Sequence, residues 1–150
     1  MVVNILEERR YYNRMKPMDT RSPDDEPFTF RDLLVWKKSR ALAVNIYRLT
    51  DTEKLARRHA YCDQLGRAAL SIPSNIAEGN DRGTNKESLR FLLIARGSLS
   101  ELETQLGVGY DLGWIDEESY RLLSEQRSEV ARLLGGLIRM RQERLRSSAS

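Results

Sequence analysis

Residues 84–109 read TNKESLRFLLIARGSLSELETQLGVG. Apolar residues recur at Leu92, Ala95, Leu99, Leu102 and Leu106, and the stripe closes on Gly109 in alternating steps of three and four. That spacing places them on one face of a helix. The stretch opens with Thr84 and, three residues later, Glu87. This is the capping-box pattern, in which each side chain satisfies a backbone N–H of the other residue. A helix starting at Thr84 is predicted. A seam recurring every 3.5 residues on average predicts left-handed, nearly aligned packing against neighbouring helices.

The same rhythm runs outward in both directions. Upstream, Arg31 to Thr50 carries Val35, Ser39, Leu42, Ile46 and Leu49, with Trp36, Ala43 and Tyr47 beside the seam. Lys54 to Glu78 carries Leu55, His59, Cys62, Leu65, Ala69, Ile72 and Ile76. Downstream, Asp116 is positioned to cap a helix whose first turn holds Glu117 and Glu118, followed by Leu123, Gln126, Val130, Leu133, Leu137 and Met140. The three connections are short, so neighbours run antiparallel. The predicted fold is all-α, an up-down-up-down antiparallel four-helix bundle over residues 30–146. Residues 1–29 mix charges with Pro17, Pro23 and Pro27 and read as a flexible arm, with 147–150 as a tail.

Bulk composition narrows the class. The 150 residues are 40% hydrophobic and 31% charged, which suits one helix-rich globular domain. Four prolines and nine glycines are too few to punctuate a many-stranded β fold. With Cys62 the single cysteine there is no internal disulfide, and the expected compartment is the reducing cytoplasm. The first thirty residues hold no apolar run of signal-peptide type, and no stretch is long and apolar enough for a membrane span, so no membrane partner is expected.

Within SIPSNIAEG, residues 71–79, Pro73 interrupts a helical pattern. It removes a backbone donor and crowds the carbonyl of Ala69, so a bend is predicted there. Ser71, Ser74 and Asn75 can bond the disturbed backbone, Gly79 can end the helix in the left-handed conformation, and Glu78 falls near the positive end of the next helix. The competing reading makes Ser74, Asn75 and Glu78 a partner-binding motif. Both readings stand on the sequence.

A bundle helix needs one apolar stripe, yet Phe91 to Ala95 is apolar around its whole circumference. At about 100° per residue Ile94 points away from the seam. Gly97 and Ser98 would let another helix approach. Phe91, Leu93, Ile94, Gly97 and Ser98 are therefore the predicted contact in a homo-oligomer.

Charge is uneven. The chain carries +3 overall, with a pI near 9.2. In the predicted topology one end collects Arg31 to Arg40, Glu78 to Arg90 and Arg132 to Arg146, for a net +7. The opposite end, with five acids and no base between Glu103 and Tyr120, nets −3. Lys37, Lys38, Arg40, Arg82, Lys86, Arg90, Arg132, Arg139, Arg141 and Arg144 are the candidate contacts to an RNA or DNA backbone. No aromatic platform lies among them for stacking single strands.

Catalytic chemistry is not indicated. His59 and Cys62 sit one turn apart, but two ligands do not complete a zinc site, and core packing is the expected role of both. Paired Glu-x-x-His motifs and a phosphate-cradling glycine loop are missing from the sequence, and Glu101 and Glu103 fall on different helix faces. No catalytic residue, metal or cofactor is assigned, and the chain is not expected to be an enzyme.

Asp32-Leu33 with Val35-Trp36, the SIPSNIAEG run, and Gly97-Ser98 leading into Glu101-Leu102-Glu103 together resemble the four-helix bundle proteins of the 23S ribosomal RNA intervening-sequence protein family. The resemblance runs from Phe30 to about Met140. It implies the bundle fold and a homo-oligomer, a pentamer as in related members, with no enzyme activity. Some members are encoded inside insertions of ribosomal RNA genes, and a similarly folded relative serves diversity-generating retroelements by binding nucleic acid and a reverse transcriptase. Two functions follow as expectations: a nucleic-acid-associated accessory protein, which would bind RNA, DNA or a nucleoprotein partner, or an assembly module without nucleic acid.

Overall fold

The computed structural model describes residues 29–148. A short 3-10 turn, Phe30–Asp32, leads into four helices: α1 (Leu34–Thr50), α2 (His59–Asp81), α3 (Asn85–Asp111) and α4 (Glu117–Ser148). Each helix packs on its chain neighbours, and α1 closes the circle against α4. Cross-helix contacts reveal direction. Tyr61 meets Gln105 while Ser71 meets Ser98, so α2 and α3 run oppositely. Arg127 meets Leu99 and Arg141 meets Asn85, and Lys38 and Asn45 meet Glu129 and Gln126 in descending order. The four-helix all-α bundle is thus as predicted.

The core follows the predicted seams closely in α1 and α3. Val35, Ser39, Leu42, Ile46 and Leu49 are buried, as are Leu92, Ala95, Leu99, Leu102, Leu106 and Gly109. Polar seam residues have partners. Ser39 Oγ donates to Trp36 O at 2.9 Å, and buried Asn45 donates to Gln126 Oε1 at 3.1 Å, which accounts for glutamine in the α4 stripe.

Several local expectations change. Arg31 does not open α1: Thr29 and Asp32 form a reciprocal box around the 3-10 turn, and Leu33 is extended before the helix starts. The bundle range 30–146 extends by two residues, because α4 runs through Ser148. The arm expected at 1–29 lies outside the described residues apart from Thr29, as do residues 149–150 of the tail. Thr84 accepts from Glu87 N, but the Glu87 carboxylate bonds the Thr84 hydroxyl instead of its N–H, so only half of that box forms. Asp116 caps as predicted, accepting from Ser119 N and Ser119 Oγ at 2.9 Å each. Those bonds hold its carboxyl below the usual range.

α2 begins at His59, five residues after the predicted start. Residues 51–57 form turns, with Thr52 Oγ1 donating to Leu49 O and Leu55 N to Thr52 O. Leu55 is fully buried, plugging the bundle from this loop. The helical phase drawn through Leu55 therefore does not reach His59, which is exposed; Cys62 is half-buried, its thiol pushed up in pKa mainly by burial. In α4 the buried positions after Val130 are Leu134 and Ile138, while Leu133 and Leu137 flank the core and Met140 is exposed. A helix at 3.6 residues per turn drifts about 20° per heptad from a 3.5 repeat, and the sequence LLGGLI offers a neighbour at each step.

Gly79 does not end α2. The helix continues to Asp81, and the sole positive φ among the described residues belongs to Gly113, at 69°. Gly79 is favoured by proximity instead, since a Cβ there would crowd Phe91 Cβ and Ser88 O, each at 3.1 Å. Gly113 closes α3 in a Schellman arrangement, with Trp114 N donating to Gly109 O and Gly113 N to Tyr110 O.

Candidate nucleic-acid interface

The end of the bundle where α1 begins, α2 ends, α3 begins and α4 ends carries the predicted bases. α4 has 32 residues, about 48 Å, against 17 in α1 and 27 in α3, and its last two turns form a basic rod that carries Arg144 and Arg146 past the start of α3. Arg141 ties that rod to the start of α3, donating through Nη1 to Asn85 Oδ1 at 3.1 Å. Burial and the neighbouring Arg144 lower the Arg141 pKa, and its Nε is buried without a partner. Beside this junction lies a groove of about 550 Å3 lined by Asn85, Met140, Glu143, Arg144, Ser147 and Ser148.

The ten candidate bases divide by environment. Lys38 is held by Glu129 at 3.1 Å, Arg82 by Glu78, and Arg141 by Asn85. Arg40 lies 5.8 Å from the Trp36 ring, and half-buried Lys37 also has an interaction partner. Lys86, Arg90, Arg132, Arg139 and Arg144 are exposed and carry no ion pair among the described residues. Arg139 folds back along α4 over Gly135 and Gly136, whose missing side chains leave a flat strip beneath the guanidinium. The set is not a single spot. Lys38, at the level of Glu129, lies twelve residues from Arg141, about 18 Å along α4. The bases of α1 and α4 reach down one side of the bundle, whereas Lys86 and Arg90 stand on α3.

SIPSNIAEG is largely occupied by its own backbone. Pro73 is buried inside α2. Ser74 Oγ donates to Leu70 O at 2.8 Å, and Asn75 Nδ2 to Ser71 O at 2.8 Å. Ser71 and Ser98 share a hydrogen bond of 2.8 Å across the α2–α3 seam. Glu78 engages Arg82, whose guanidinium stands 4.6 Å over Phe91. Every polar side chain of the run thus has a hydrogen-bond or ion-pair partner within the subunit.

The predicted contact face separates likewise. Leu93 and Ile94 are 36% and 43% exposed, and Gly97 is exposed with no atom within 4 Å of where a Cβ would be. Phe91 is half-buried beneath Arg82. Ser98 is not on the outer face: it is buried and faces α2, because its position lies on the flank that meets Ser71. Sequence reading missed a second apolar surface. Val44, Tyr47 and Leu70 are exposed, Tyr47 lying over Gly66. Their positions beside the seam were the available signal. Among the described residues no cluster of three or more metal-ligating side chains forms, and no helix is long and apolar enough to cross a membrane.

Residues 31–136 match the family model described as 23S rRNA-intervening sequence protein. A solved structure, described as a protein with unknown function from the S23 ribosomal protein family of Bacteroides thetaiotaomicron, aligns with a TM-score of 0.63 at 24% identity. The alignment covers 70% of this chain and 98% of that one, and it supports the fold. No curated protein matches the chain.

Proposed function

Because the chain belongs to the 23S rRNA-intervening sequence protein family, we propose that it is a non-enzymatic, self-associating accessory protein that binds RNA or DNA phosphate backbone along its basic end. The carrying observation is the group Lys86, Arg90, Arg132, Arg139 and Arg144, which have no ion pair among the described residues, with Lys86 and Arg144 flanking the Arg141–Asn85 contact of α3 and α4. Counter-ion release from phosphate rewards such unpaired cations, and guanidinium groups engage phosphate oxygens two at a time. Contacts to the phosphate backbone carry no base information, so affinity is expected with little sequence preference.

Self-association rests on two separate exposed apolar surfaces, Leu93 with Ile94 on α3 and Val44, Tyr47 and Leu70 on α1 and α2. A closed ring uses two different patches per subunit, as in the pentamer implied by the family resemblance. Several copies would align their basic ends into one extended surface. The second reading, an assembly module without nucleic acid, draws on the same apolar surfaces.

Filter binding of a structured RNA at low ionic strength separates the two. The proposal expects binding, with Arg139→Glu/Arg144→Glu weakening it by about tenfold or more. Absence of binding, with the oligomer intact, leaves the assembly module.

A further inference from the structure

The end of the bundle opposite the bases holds a different kind of surface. Tyr110, near the end of α3, and Tyr120, in the first turns of α4, stack with ring centroids 4.5 Å apart and planes 13° from parallel. They line a groove of about 550 Å3 together with Glu117, Arg121, Ser124 and Ser128. The serines keep its α4 wall low, and Tyr110 is 37% exposed.

We infer that this groove docks an arginine-bearing extended segment of a partner protein, one guanidinium stacking on the Tyr110–Tyr120 pair. The charge fits a cation. Arg121, the base in the wall, is already held by Glu125 at 2.7 Å. Asp111, Glu117 and Glu118 have no ion pair among the described residues. Phosphate is repelled here. An aromatic face attracts a cation, and a planar guanidinium both stacks and presents paired donors to a carboxylate, which an ammonium does not. Rings already stacked on one another lose little freedom on binding. From Glu117 to Ser128 the groove wall runs about 16 Å, the length of about five extended residues. The inference is independent of the nucleic-acid reading, whose residues lie at the other end.

The probe is a fluorescein-labelled nona-arginine peptide, followed by anisotropy with the full chain at low ionic strength. It should bind several-fold more tightly than nona-lysine. Tyr110→Ala/Tyr120→Ala should weaken the arginine peptide about fivefold and erase its advantage over lysine. Tyr110→Phe/Tyr120→Phe, which keeps the rings, should retain binding and guards against a folding defect. Glu117→Lys/Glu118→Lys should weaken both cationic peptides, whereas Arg139→Glu/Arg144→Glu should not weaken either. No binding, equal affinity for arginine and lysine, or indifference to the alanine pair would overturn the inference. So would a change in sedimentation of the alanine pair without any peptide binding, which would assign the groove to another copy of the chain.

Discussion

Gly109 decides how close α2 and α3 can come, and replacing it tests the packing directly. A Cβ at this position would overlap Tyr61 Oη outright and stand 2.9 Å from both Tyr61 Cζ and Ile115 Cδ1. The tyrosine is pinned: its hydroxyl donates to Gln105 O at 2.6 Å, and its ring meets Trp114 edge-on at 5.1 Å. Moving it to admit a methyl group costs about 1–3 kcal/mol of overpacking, and losing the hydrogen bond adds about 1 kcal/mol. Alanine's better helix propensity returns about 1 kcal/mol. Gly109→Ala should therefore destabilise the chain by about 1–3 kcal/mol. Gly97 sits in the same helix with nothing within 4 Å, so Gly97→Ala should gain up to about 1 kcal/mol under conditions where the chain is monomeric. Urea unfolding followed by circular dichroism reads both signs. A Gly109→Ala chain as stable as the parent would refute this packing of Tyr61 against α3.

Further consequences can be checked alongside. Burial pushes the Tyr61 phenol from its ordinary value of 10 to about 12. Below pH 10 it is protonated in both states; between 10 and 12 the unfolded chain ionises first, so stability should fall as pH rises through that window, by less in Tyr61→Phe. Asn75→Ala should cost about 1 kcal/mol, because the amide bonds Ser71 O, while Glu78→Gln changes stability by no more than about 0.5 kcal/mol, since its ion pair is exposed. Thermal melts of the two variants decide whether SIPSNIAEG is chiefly a joint. Leu93→Glu/Ile94→Glu should lower the association state seen by sedimentation velocity without unfolding the subunit, because both side chains are already exposed.

The seams of α1 and α3 were legible because the step of three and four runs unbroken through Leu42, Ile46 and Leu49 and through Leu99, Leu102 and Leu106, and it selects Leu92 and Ala95 even within the apolar run Phe91 to Ala95. α4 was harder: Leu133-Leu134 and Leu137-Ile138 are adjacent apolar pairs, and only the drift of a straight helix chooses between them. His59 was misplaced because Leu55 is as apolar as any helical seam residue while belonging to a turn. Gly79 carries a helix-ending residue type, yet its role arises from the approach of Phe91 and Ser88, which no local pattern encodes. Of the candidate site, sequence alone identified the bases. Which of them are unpaired depends on Glu129 and Asn85, brought close by tertiary packing, and on Glu78, one turn before Arg82 in the chain. The Tyr110–Tyr120 stack likewise joins two helices across a turn and has no linear signature.

The most direct test of the proposed function is the salt dependence of structured-RNA affinity for the full chain. If four or five of the unpaired bases meet phosphates, affinity should fall by more than about a hundredfold between about 50 and 200 mM salt, and Arg139→Glu/Arg144→Glu should flatten the slope by about two. Affinity that ignores salt, or a slope unmoved by those substitutions, would contradict it.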